Sequence, residues 1–159
     1  PPAAAPPPAV RATMTALQRV CLPVLRGAPL KTSAKAAGFR LKDGVWTMPV
    51  ARGRRIGLEP PDTANPHVCA LHIVAEAAAA PSMRATLAAW ASGQSPPLKQ
   101  VEADVVVPGP AFQHVTSTWT ARTAAGAEGV VLSQDEALPG KPALAGTRRS
   151  ALLVSLTPA

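Results

Sequence analysis

Asn65-Pro66-His67-Val68-Cys69-Ala70-Leu71-His72-Ile73-Val74 is the stretch whose reading decides the fold. His67, Cys69, Leu71 and Ile73 alternate with Val68, Ala70, His72 and Val74, so a strand here is largely apolar on both faces, as a central strand should be. Its start is set by Pro60-Pro61-Asp62-Thr63-Ala64-Asn65-Pro66, too rich in proline to join a ladder. Cys69 and Cys21 are the only cysteines of the chain. A single spaced pair in an exported protein is most simply a structural bridge, which would tie this strand to the first helix.

That helix is expected from Val10 to Leu22, where Met14, Leu17, Cys21 and then Val24 or Leu25 recur at helical spacing. Pro23 disfavours helical geometry at Leu22 and removes a donor, so an end or kink is expected there. A second helix is expected from Leu30 to Ala37, with Pro29 at its entry and Gly38 as a left-handed cap. Next comes the clearest local signal. Asp43-Gly44 supplies a two-residue hairpin turn between Phe39 and Leu41 on one side and Trp46, Met48 and Val50 on the other.

The basic turn Arg52-Gly53-Arg54-Arg55 leads into a short strand holding Ile56 and Leu58. Beyond the central strand, Met83, Leu87 and Trp90 line a helix that starts near Pro81 or Ser82 and stops at Gly93. The last third reads as strands: Lys99–Val107, Ala111–Thr123, Gly129–Gln134 and Arg149–Thr157. The threonine-rich stretch from Phe112 to Thr123 has the pattern of a strand with one solvated face. Helices, strands, a helix and more strands describe an α+β fold, an antiparallel β-sheet with the N-terminal helices and a mid-chain helix packed on one face. The domain division is a Pro/Ala-rich N-terminal arm over residues 1–9 and a single domain over residues 10–159.

The 159 residues suffice for one domain with its own core. Apolar content of 47% against 16% charged residues supports a folded chain. Alanine contributes much of that apolar share, so the core leans on scattered Leu, Val, Ile, Met and Trp. No apolar run approaches the roughly 20 residues needed to span a bilayer as a helix. Pro1-Pro2-Ala3-Ala4-Ala5-Pro6-Pro7-Pro8 has neither the charged nor the apolar region of a signal peptide and looks like the lead of a mature exported chain. With the cysteine pair, this places the expected compartment in the periplasm or outside the cell.

The net charge of +7 favours anionic surroundings. With no Tyr, two Phe and three Trp, there is little aromatic surface on which bases could stack, so nucleic acid is disfavoured as a partner. Arg40, Lys42, Arg52, Arg54 and Arg55 form the best candidate surface for an anion or a partner, because arginine forks match phosphate and carboxylate groups. The competing reading is a solvated turn that serves solubility.

His67, Cys69 and His72 invite a zinc reading. Strand alternation turns His72 away from the other two, and no second Cys/His group completes a ligand set, so no metal or other cofactor is expected. His114 lies among Thr116, Ser117 and Thr118, and Asp62 precedes His67, but neither has the glycine-flanked elbow that exposes a catalytic serine. The acids, among them Glu59, Asp104, Asp135 and Glu136, are dispersed along the chain, and no glycine-rich phosphate loop is present.

The succession Ala16-Leu17-Gln18, Cys21-Leu22-Pro23, Ala36-Ala37-Gly38-Phe39, Trp46 and Asn65-Pro66-His67-Val68-Cys69 resembles small uncharacterised exported proteins of alphaproteobacteria. The resemblance covers most of the chain after the proline lead and implies a compartment without implying an activity. The leading expectation is a non-enzymatic, disulfide-stapled binding or structural protein, an accessory component of a cell-envelope assembly. It would meet a protein partner through the N-terminal arm or the basic hairpin. The alternative is a small hydrolase-like periplasmic enzyme with His114 or His67 as base.

Overall fold

A computed structural model describes residues 5–101 and 103–159. Pro1–Ala4 of the proline-rich lead lie outside the described residues. In the rest, α1 (Pro8–Ala16), a π turn (Leu17–Cys21) and α2 (Leu22–Leu25) follow one another without a break, then α3 (Leu30–Ala37). Four strands come next: β1 (Arg40–Lys42), β2 (Val45–Pro49), β3 (Arg55–Glu59) and β4 (Val68–Glu76). A 3₁₀ turn (Ala77–Ala79) opens α4 (Ala80–Ser92). The chain ends in β5 (Lys99–Gln100), β6 (Val105–Pro108), β7 (Gln113–Thr123), β8 (Gly126–Glu136) and β9 (Thr147–Pro158). This is an α+β fold.

Helix α1 begins at Pro8, two residues before the expected start, because proline suits a first helical turn whose N–H would have no partner anyway. Ala9 and Val10 are already buried. Of the end or kink expected at Pro23, the end does not occur. The Leu22 N–H reaches back five residues to the Leu17 carbonyl, and this wider turn, just ahead of Pro23, carries the helix on to Leu25. Gly38 caps α3 at φ 107°, and the turn Asp43-Gly44 has φ 51° and 78°, both as expected of a left-handed cap and a type I′ hairpin.

The strands form one antiparallel sheet in the order β1-β2-β3-β4-β9-β8-β7-β5, with β6 also on β7. The meander β1 to β4 is one half and β5 to β9 the other. They join where β4 pairs β9 from Val68↔Ser155 to Glu76↔Thr147. β4, which holds most of the 65–74 stretch, is therefore central. The expected Lys99–Val107 strand is instead two short ones, β5 and β6, each on β7 and separated by residues 101–104.

All the helices cover one face of the sheet. Cys69, Leu71 and Ile73 of β4, Ile56 and Leu58 of β3, Trp46 and Met48 of β2, Leu152 and Val154 of β9, Val130 and Leu132 of β8, and Trp119 of β7 meet Val10, Leu17, Val20, Phe39, Met83 and Leu87. Each large aliphatic or aromatic group taken from water there contributes about 1.5–3 kcal/mol. Cys21 and Cys69 are both fully buried and joined, with their Cα atoms 5.5 Å apart. The bridge thus fixes the π turn directly over the central strand.

Among the described residues the opposite face carries no helix, in keeping with the expected packing of the helices on one face. Ala70 and Val74 are shielded by neighbouring strands, while His72 is 59% exposed. On β7 the solvated face is as expected: Val115, Ser117 and Trp119 are buried beneath the helices, and His114, Thr116, Thr118 and Thr120 stand on the other side.

The β7–β8 hairpin closes through Thr123↔Gly126. Gly126 sits at φ 141°, and a Cβ there would overlap the Thr157 carbonyl on β9. Gly126→Ala is therefore expected to destabilise the domain by about 1–2 kcal/mol, measured as a lower urea midpoint with unchanged slope.

Candidate functional site: the open face of the sheet

Because side chains alternate along each strand, the pairing register decides which residues share the open face. One row across the sheet reads Thr47, Gly57, His72, Ala151, Ser133, Thr116. The adjacent row runs through Pro49, Arg55, Val74 and Arg149. The floor of the first row is made of small residues, Gly57, Ala151 and Ser133. Larger side chains stand around it, and the result is a groove of about 680 Å³ lined among others by Val45, Arg55, Glu59, His72, His114 and Arg149.

Two histidines on this face each hold a carboxylate. His72 Nε2 lies 2.8 Å from Glu59 Oε2, and His114 Nδ1 lies 2.9 Å from Asp135 Oδ1. Asp135 also receives Arg148, whose guanidinium stacks over the Phe112 ring at 4.2 Å. The nearby carboxylates are thus already engaged. Among the described residues, no ion pair involves Arg55 or Arg149, both of which line the groove. The groove is consequently cationic with an apolar floor.

The structure divides the expected basic cluster. Arg40 and Lys42 pair with Thr47 and Val45 and so belong to the open face, as does Arg55. Arg54 is withdrawn from the cluster by an ion pair with Glu76 and a hydrogen bond to the Arg52 carbonyl, while Arg52 occupies the turn at φ 49°. Arg149 and His72 join the site, although the sequence singled out His72 only for the zinc reading and Arg149 not at all. His72 did carry a signal, being a polar group in an apolar strand and on the face opposite Cys69. Arg149 carried none, since nothing in the sequence makes β9 the neighbour of β4.

His114 lines the groove, with its Nδ1 committed to Asp135. His67 does not; it precedes β4, exposed, and its carbonyl accepts the Leu156 N–H. The zinc reading fails on chemistry, because the Cys69 sulfur is consumed in the disulfide. Among the described residues, no three His, Cys, Asp or Glu side chains gather as a metal set.

Compared with family models, characterised proteins and solved structures, the chain matches none of them.

A second polar cluster lies on the helix side. Arg84 of α4 reaches Glu136 on β8 with two nitrogens, at 2.7 and 3.1 Å, and Asp104 with a third at 2.9 Å. Asp104 also accepts from Gln100 and Ser117. The hydrogen bond to Glu136 holds the Arg84 guanidinium above its ordinary range, against the opposing effect of burial. Acids dispersed in sequence thus become the counterions of one arginine. Both carboxylates are spent on tying Arg84 of α4 and Asp104 to β8 and β7, which leaves neither free for acid–base work.

Proposed function

We propose that the protein is a non-enzymatic, disulfide-stapled periplasmic or secreted binding domain of the alphaproteobacterial exported type, an accessory component of an envelope assembly that works through the open face of its sheet. The observation that carries this is the asymmetry of the two faces. One carries the helices and the staple over its buried core, while the other presents a groove with two arginines free of ion pairs among the described residues. A buried disulfide suits an oxidising compartment, and no helix among the described residues is long and apolar enough to cross a membrane.

A partner presenting acidic groups fits the cationic face, to which Arg40 and Lys42 of the first hairpin contribute. Affinity purification from native envelope tests the reading. The wild type is expected to retain a defined partner, and the charge-reversed Arg55→Glu/Arg149→Glu variant to lose it while keeping its circular dichroism spectrum. Recovery of the protein as a cytosolic, partner-free monomer overturns the proposal.

One observation favours a second reading, a hydrolase-like enzyme. With Nδ1 donating to Asp135, His114 keeps Nε2 as its basic nitrogen, the tautomer a general base needs. Against it stands the lack of an activated nucleophile: Ser133 shares the groove, but its hydroxyl is 3.4 Å from that of Thr116. Turnover by the wild type that His114→Ala abolishes would favour the enzyme, whereas partner retention that depends on Arg55 and Arg149 without turnover favours the binding domain.

A further inference from the structure

We infer that the open-face groove takes an amphiphilic anion, a phosphate or carboxylate head held between Arg55 and Arg149 with its apolar body on the Gly57–Ala151 floor. This rests on the reading of the open face as the working surface and names the chemistry it accepts.

The head site follows from the register. Arg55 and Arg149 are the two cross-strand neighbours of Val74, one on each side. Two strand spacings put their Cα atoms about 10 Å apart, a span that two long side chains close from opposite sides onto one oxyanion. Neither is neutralised by an ion pair among the described residues: Glu59 is held by His72, Asp135 by His114 and Arg148, and Glu76 by Arg54. Two guanidinium forks lining one groove on either side of a valine match an oxyanion that offers acceptors to both.

The body site follows from side-chain size. In the row next to the arginines, Gly57 and Ala151 flank His72 and leave the groove open above the backbone, while Val45, Val74 and Pro60 add apolar wall. A bare inorganic ion would use the arginines and leave this surface wet. An anion with a hydrocarbon portion uses both.

Titration calorimetry with dodecyl phosphate below its micelle concentration tests the inference on the full, oxidised chain. Wild type is expected to bind dodecyl phosphate at least about tenfold more tightly than inorganic phosphate, with no binding of dodecanol. Arg55→Gln and Arg149→Gln should each weaken dodecyl phosphate binding by about tenfold. Gly57→Leu should weaken it as much with the charge unchanged. Gly57 lies outside the left-handed region and a Cβ there meets only ordinary contacts, at 3.8 Å or more, and an unchanged circular dichroism spectrum checks that the variant is folded. Arg11→Gln/Arg19→Gln removes two charges from the N-terminal helical segment and should leave the affinity within about twofold.

Equal weakening by the Arg11/Arg19 pair, or indifference to Gly57→Leu, overturns the proposal. Vesicles of phosphatidylglycerol distinguish the source of the anion. Arg55-dependent binding to them assigns a lipid headgroup, and binding of the monomeric probe alone assigns a free amphiphile. Loss of the proposed ligand with retention of an open-face partner in the envelope purification would refute this inference and leave the binding-domain reading standing.

Discussion

Cys21→Ala/Cys69→Ala is expected to remove about 4 kcal/mol of stability, because the bridge closes a 48-residue separation in the unfolded chain. The unfolded state gains the freedom of that loop, and the folded state loses the tie between the π turn and β4. Both residues are completely buried, so the two lost sulfurs also leave a small cavity in the core. In a domain of this size, the loss lowers the melting temperature by on the order of 10 °C. Urea titration checks it directly: the midpoint falls, the far-ultraviolet spectrum of the native state is retained, and reductant no longer changes the variant. A loss below about 1 kcal/mol would show that helix packing alone holds this layer on the sheet.

Arg84→Ala carries the second largest expected effect, about 2–3 kcal/mol. Glu136 is only 6% exposed, and removing Arg84 strips it of both guanidinium hydrogen bonds, leaving Gln134 as its remaining side-chain donor. Breaking a fully buried pair costs about 3–5 kcal/mol. The figure is smaller here because the Arg84 side chain is 36% exposed and its interactions are partly screened. Arg84→Lys should fall between, since a single ammonium cannot reproduce the fork. The double variant Arg84→Met/Glu136→Leu should recover most of the loss by removing the stranded charge along with its partner. A double-mutant cycle in urea measures this coupling, and a loss within about 0.5 kcal/mol for Arg84→Ala would reduce the cluster to a surface feature.

Much of the fold is legible in local patterns. Asp43-Gly44 demands positive dihedrals, Gly38 supplies a left-handed cap, and both occupy those conformations. The cysteine pair is legible by elimination, there being no third cysteine for either to choose. What local patterns misjudge is instructive. Pro23 suggests a helix end or kink, and a π turn just ahead of it lets the helix pass. The stretch Lys99–Val107 suggests one strand, yet it forms two short ones, β5 and β6, on the same neighbour β7.

The candidate site is less legible, and for a definite reason. Alternation along 65–74 by itself determines that Cys69, Leu71 and Ile73 share one face and that His72 lies on the other, because successive strand residues point to opposite sides. It cannot determine which strands stand beside this one. Only the tertiary structure sets β3 on one flank and β9 on the other, placing Arg55 and Arg149 on either side of Val74. Strand neighbours are chosen by the closing of the whole helix-covered core around the Cys21–Cys69 bridge, and that choice involves residues from every part of the chain.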